Sequence, residues 1–267
     1  MKRRDSTRTS RPGTGHRPAS LPPKHALLLV VSVLAILAAA CAGDDDGVEP
    51  PTRETSTASS TTPTRSASAD PGKAFRELAF PADLVDGQAI GKPDAPIALT
   101  VFEDFQCPFC LRFTLLHEPV IIQEYVRTGK VRFEFKHFPI LGEESGAAAV
   151  AATCAADQGL FWALHKRLFL VELEAGQLTA EKLNVGRFSA ANLQRYASEE
   201  GVEPGAFGAC LTSQAAADKV TAQLREAAAL GLRGTPSFLI NGEPVTRPPT
   251  TPGEWRSFLE EQIKASR

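Results

Sequence analysis

The stretch Cys107-Pro108-Phe109-Cys110 constrains the fold more than any other, because it falls where one periodicity gives way to another. Upstream, Pro96-Ile97-Ala98-Leu99-Thr100-Val101-Phe102 is a nearly continuous apolar run, which suits a strand covered on both faces. Glu103-Asp104-Phe105-Gln106 end that run. Downstream, from Cys107 to about Arg127, Leu111, Leu115, Val120, Ile121 and Tyr125 recur at helical intervals, and Pro108 fits the first turn, where a missing N–H costs nothing. Gly129 stops the helix and Val131-Arg132-Phe133-Glu134-Phe135 alternates as a strand does, so this part reads as a βαβ unit.

Cysteines three apart on a helix have Cβ atoms roughly 5 to 6 Å apart, so modest adjustment lets the sulfurs bond and part without moving the fold. At the helix N-terminus the unpaired N–H groups and the macrodipole favour an anion. Cys107 is therefore the candidate thiolate nucleophile, and Cys110, one turn inside, the candidate buried resolving thiol. The other common use of this motif, half of a zinc site, needs two more ligands at compact spacing. Cys154 and Cys210 do not supply them, being far apart in the chain, and no metal is expected.

Towards the C-terminus, Ser237-Phe238-Leu239-Ile240 is a short apolar run, Asn241-Gly242 a hairpin turn signal, and Glu243-Pro244-Val245 the returning strand. A last helix is expected from about Pro252 to Ile263. Residues 142 to 230 are too many for a structureless loop, and 147–156, 160–173, 190–199 and 214–230 are compatible with helices. The order is thus β-α-β, a helical insertion, then β-β-α. The segment Phe102-Glu103-Asp104-Phe105-Gln106-Cys107-Pro108-Phe109-Cys110, taken with Gly234-Thr235-Pro236 and the insertion, resembles the DsbA-like branch of the thioredoxin superfamily over roughly residues 85 to 265.

That resemblance implies an α/β thioredoxin-like fold, a central mixed sheet with an inserted helical subdomain. It implies a cis Thr235-Pro236 bond facing the cysteines, with the main chain of Thr235 pairing to an extended substrate. It implies disulfide exchange with reduced or unfolded secreted proteins, reoxidation by a DsbB-like or VKOR-like membrane partner, and no bound cofactor. A reductase or isomerase, or a redox-inactive or metal-handling binding lipoprotein that kept the fold, are the alternatives. The strongest oxidases of the family carry Pro-His between the cysteines; Phe109 supplies no cationic imidazole, so a weaker oxidant is expected here. A buried acid in such proteins often stands six residues before the first cysteine, and that place is Val101. Glu103 and Asp104 are open to two readings, a solvated strand end or a proton-handling role.

The N-terminal part reads as an address. Residues 1 to 40 carry a net charge of +6 and end in an uncharged run of fifteen, 26 to 40, the pattern of a secretory signal. Ala38-Ala39-Ala40-Cys41 resembles the lipobox of bacterial lipoproteins, which would lipidate Cys41 and tether the protein to the extracytoplasmic face of the cell membrane; an uncleaved anchor or simple cleavage are the other readings. Residues 41 to 75 are the lipidated terminus and a linker, Ser or Thr at eleven of the seventeen positions between Thr52 and Ser68, too polar to offset its chain entropy. Residues 76 to 267 form the domain, expected as a monomer because a tether stands where dimeric isomerases carry a dimerisation domain. The chain beyond residue 40 has net charge −8, which excludes attraction to nucleic-acid backbones.

With Cys41 lipidated, four thiols remain for an oxidising compartment, and Cys154 and Cys210 are expected to pair as a staple of the insertion; two separate buried thiols are the alternative. His117 shares a helix face with Cys110 but stands about 10 Å along the axis. It, His137 and His165 are assigned structural or surface roles, and Phe161, Trp162, Leu164 and Leu168 a core stripe.

Overall fold

The computed structural model describes Asp70 and residues 72–267. The signal, Cys41 and nearly all of the linker lie outside the described residues. Two short strands, Val85–Asp86 (β1) and Ala89–Ile90 (β2), form a hairpin at one side of a six-stranded sheet. The apolar run becomes Ile97–Glu103 (β3), in the sheet's middle, parallel to Val131–His137 (β4) and antiparallel to Ser237–Ile240 (β5), with Glu243–Pro244 (β6) outermost. The order is β1-β2-β4-β3-β5-β6. Asn241 and Gly242 turn the β5–β6 hairpin with φ of 50° and 87°, and Asn241 Oδ1 accepts a hydrogen bond from the Ala98 N–H at 2.8 Å.

Strand alternation sorts β3 between two cores. Ile97, Leu99 and Val101 pack with Phe133 and Phe135 in the main core, and Glu103 points the same way. Phe102 goes to the opposite face, against Phe138, Leu239 and Ala227. The helices are Lys73–Glu77 (α1), Pro108–Leu116 (α2), Glu118–Val120 (α3), Glu143–Ala156 (α4), Phe161–Glu174 (α5), Ala190–Glu199 (α6), Pro204–Leu211 (α7), Gln214–Ala229 (α8) and Pro252–Ala265 (α9). Helix α9 opens with a capping box, Thr251 with Glu254, and buries Trp255, Leu259 and Ile263.

Three expectations are corrected. The helix expected from Cys107 to Arg127 is broken: α2 ends at Leu116, His117 takes φ −116°, and α3 runs on into a wider π-type turn, Ile121–Val126. Pro119 is the cause, since it has no N–H for the carbonyl four residues back and its ring crowds that carbonyl. The insertion holds a fifth helix, α7, started by Pro204 and by the Glu203 carboxylate, which accepts from the Gly205 and Ala206 N–H groups. The folded part also begins before residue 76, because α1 starts at Lys73 and Phe75 is fully buried with its ring 6.2 Å from that of His165.

Candidate active site

The turn that carries the cysteines is built on one carboxylate. Asp104 accepts the Gln106 N–H on Oδ1 at 2.9 Å and the Ile140 and Leu141 N–H groups on Oδ2 at 2.9 and 3.0 Å, so the end of β3 is stitched to the segment after β4. Gln106 extends the anchor into the insertion. Its amide donates to Ser145 Oγ at 2.8 Å and accepts the Asn184 N–H at 2.7 Å, while its backbone carbonyl accepts from Gln177 at 2.7 Å. Asn184 adopts the left-handed conformation, φ 53°, to make this contact.

Cys107 is then delivered as the N-cap of α2, with Pro108 in the first turn. Its Sγ donates to the carbonyl oxygen of Thr235 at 3.3 Å. The Cys107 thiol is pulled from 9.0 to about 7: the hydrogen bond from the Cys110 thiol contributes most, burial opposes it, and the Thr235 side chain and the N–H groups of Cys110 and Phe109 add to it. Cys110 is fully buried, and burial first, then Cys107 and Glu103, push its thiol well above the ordinary range. The pair is therefore unequal. One sulfur ionises near neutrality and the other holds its proton.

The Thr235–Pro236 bond is cis and faces this helix end. Beside it lies a groove of about 360 Å³ lined by Phe109, Arg112, Phe113, His117, Pro236 and Phe238, among others. Phe109 is 65% exposed, an apolar ring standing in solvent at the groove's edge. His117 sits in the groove wall, its ring 5.9 Å from Phe113 and 6.3 Å from Trp255. Cys154 in α4 and Cys210 in α7 are bonded, S–S 2.06 Å, within the insertion.

Beneath Cys110 the structure brings together three residues that sequence reasoning left apart. Glu103, Glu118 and His165 are each no more than 1% exposed, and one ligand-type atom from each lies within 4.8 Å of the others. The solvated reading of Glu103 and Asp104 is thereby overturned, both being 1% exposed. Burial pushes the Glu103 carboxyl well above its usual range, with the charges of Glu118 and Cys107 acting in the same direction. The same burial raises Glu118 and holds His165 and His137 down to about 3. The alternation of β3 already placed Glu103 on the face of Val101, one period nearer the cysteines. Nothing local in the sequence placed α3 and α5 opposite it.

A thioredoxin family model matches residues 83–261. The probable disulfide bond formation protein D of Bacillus anthracis is 31% identical over 160 residues, 58% of this chain and 70% of that protein. The Na(+)/H(+) antiporter NhaA 3 of Salinispora tropica is 28% identical over 168 residues, 62% of this chain and 23% of that protein. Among solved structures, oxidised BdbD of Bacillus subtilis superposes with a TM-score of 0.58 at 23% identity, covering 67% of this chain and 93% of that one. The alpha-DsbA1 of Wolbachia pipientis does so at 0.57 and 21%, covering 72% and 96%. These two share the fold, and the matched family model and the Bacillus anthracis relative place the sequence beside them. The chain belongs to the thioredoxin superfamily, in its DsbA-like branch of thiol:disulfide oxidoreductases.

Proposed function

We propose that Cys107 and Cys110 form disulfide bonds in reduced or unfolded proteins outside the cytoplasm. The observation that carries this reading is the inequality of the two sulfurs, one at the N-terminus of α2 with a thiol near 7 and one sealed beneath it. In the oxidised pair a substrate thiolate attacks Cys107 Sγ. The Cys107–Cys110 bond breaks, Cys110 leaves with the bonding electrons, and it takes up a proton. A second substrate thiolate then attacks the substrate sulfur held on Cys107, and Cys107 leaves as the thiolate that the helix end stabilises. The substrate is oxidised by two electrons; one of its two thiol protons is balanced on Cys110 and the other goes to solvent.

Glu103, with its carboxyl against Cys110, is the group placed to supply that first proton. The Thr235 main chain supports an extended substrate, and the groove beside Phe109 takes an apolar side chain. A DsbB-like or VKOR-like membrane partner removes the two electrons and restores the disulfide. A secretory leader with lipid on Cys41 holds the enzyme at the outer face of the cell membrane; among the described residues no helix is long and apolar enough to cross one.

The test is transfer from the oxidised protein to a reduced, unfolded substrate, run beside Cys110→Ser, which should strand a covalent adduct on Cys107. Absence of both transfer and adduct removes the reading. A reduced protein that opens insulin disulfides while failing to oxidise the substrate makes it a reductase instead.

A further inference from the structure

We propose that Glu118 and His165 join Glu103 in a buried proton store that serves Cys110, Glu118 carrying the hydrogen bond that lets Glu103 become an anion. The inference rests on the thiol exchange proposed above. Its starting observation is an unusual accumulation of unpartnered polar atoms. Both carboxyl oxygens of Glu103, both of Glu118, both ring nitrogens of His165 and the Thr114 hydroxyl are buried without a hydrogen-bond partner among the described residues. Native interiors hold few such atoms, and a cluster of them beside a reactive centre calls for a role.

The chemistry requires what this cluster offers. When Cys110 leaves the disulfide its charge cannot reach water, so a proton must come from Glu103. Glu103 is then a lone carboxylate in the core, which is costly unless something donates to it. Glu118, brought in by the break at His117 and held protonated by burial, is a second carboxylic acid within 4.8 Å. The two carboxyls are not bonded in this state, and once Glu103 is charged a closure to hydrogen-bond distance lets the Glu118 O–H donate the charge-assisted bond and share one proton between them. His165 Nε2 stands 3.6 Å from Glu118 Oε2, so a small closure lets the neutral ring donate to Glu118 and aim it.

The groups facing the trio are few. From α2 they are Cys107 and Cys110, from β4 His137, and from α5 Lys166. Lys166 is committed to the carbonyls of Arg76 and Leu78 at 2.7 and 2.8 Å, and burial keeps His137 uncharged. Among the described residues no Lys or Arg side chain is bonded to the trio to fix the anion in one place, so the proton remains transferable.

The reverse step, attack of the Cys110 thiol on a mixed disulfide at Cys107, must return the proton to Glu103, and it can be timed by rapid mixing across pH. Glu118→Met, which keeps the bulk and removes the donor, should slow it at least about tenfold near neutrality and shift its pH profile, with Cys107 ionisation unchanged. Glu103→Gln/Glu118→Met should be no slower than Glu103→Gln alone, since both act through one path. The wild-type oxidised-minus-reduced infrared spectrum should show a carboxylic-acid carbonyl band that Glu118→Met alters. A folded Glu118→Met with wild-type rate and profile, slowing that multiplies with Glu103→Gln, or a wild-type difference spectrum without that band would each overturn the proposal while leaving the exchange reading intact. An equivalent of tightly bound divalent metal on elemental analysis would overturn it too, the ion taking the proton's place. A wild-type protein that exchanges no disulfide would overturn both.

Discussion

Ionisation of Cys107 is the most direct physical handle on this site. A fall from 9.0 to about 7 favours the thiolate by roughly 2.7 kcal/mol, and at pH 7 it raises the ionised fraction from about 1% to about half. The largest contribution comes from the Cys110 thiol; the N–H groups of residues 109 and 110 and the Thr235 side chain supply the rest. Cys110→Ala removes the first and keeps the others, so the Cys107 titration should move upward yet stay below that of an unperturbed thiol. The assay is the rate of iodoacetamide alkylation from pH 5 to 10, read by mass on the peptide that carries Cys107, which keeps Cys41 out of the signal. A wild-type inflection near 9 would refute the helix-end argument. An unchanged inflection in Cys110→Ala would show that the N–H groups and Thr235 set the ionisation without the second sulfur and that the paired-sulfur account is wrong.

The same reasoning extends to potential, stability and pH. Equilibration with glutathione should show the Cys107–Cys110 pair less oxidising than Pro-His enzymes, and Phe109→His should raise its potential; a wild-type pair as oxidising as theirs contradicts the role given to Phe109. Replacing Cys154 and Cys210 together by Ala frees a 56-residue separation and should lower unfolding stability by roughly 2 to 4 kcal/mol in urea. His137 is held neutral down to about 3 against an ordinary 6.5, so the unfolded chain binds its proton first as pH falls. Its contribution is intact above 6.5 and is lost below it at about 1.4 kcal/mol per pH unit. Urea titrations between pH 7 and 4.5 should therefore show a shallower acid decline in His137→Leu, and equal slopes would count against burial as the cause.

What the sequence disclosed follows from how local each signal is. The apolar run of β3, the alternation of β4, the Asn241-Gly242 turn and helix α6 are written in adjacent residues, and they stand close to where periodicity put them. Helix α7 escaped because its eight residues hold two glycines and a proline and bury only Phe207 fully. The cysteines were legible through motif and junction together. The acids were harder. Asp104 read as a solvated strand end or a proton handler, yet its oxygens are occupied by backbone amides. Glu103 needed only strand parity, but Glu118 needed the break that Pro119 makes, and His165 needed the packing of α5, neither of which has a nearest-neighbour signature.

The Asp104 anchor ties together two things that a protein engineer would want to adjust one at a time. The carboxylate that holds the residue before Cys107 also holds the amide of Ile140, a residue left 43% exposed. A client chain leaning on Ile140 would bear on the same fastening that aims Cys107, the proposed nucleophile. Widening that rim without misdirecting the sulfur would first require new acceptors for two main-chain amides, so rim shape and attack angle are inherited as one trait.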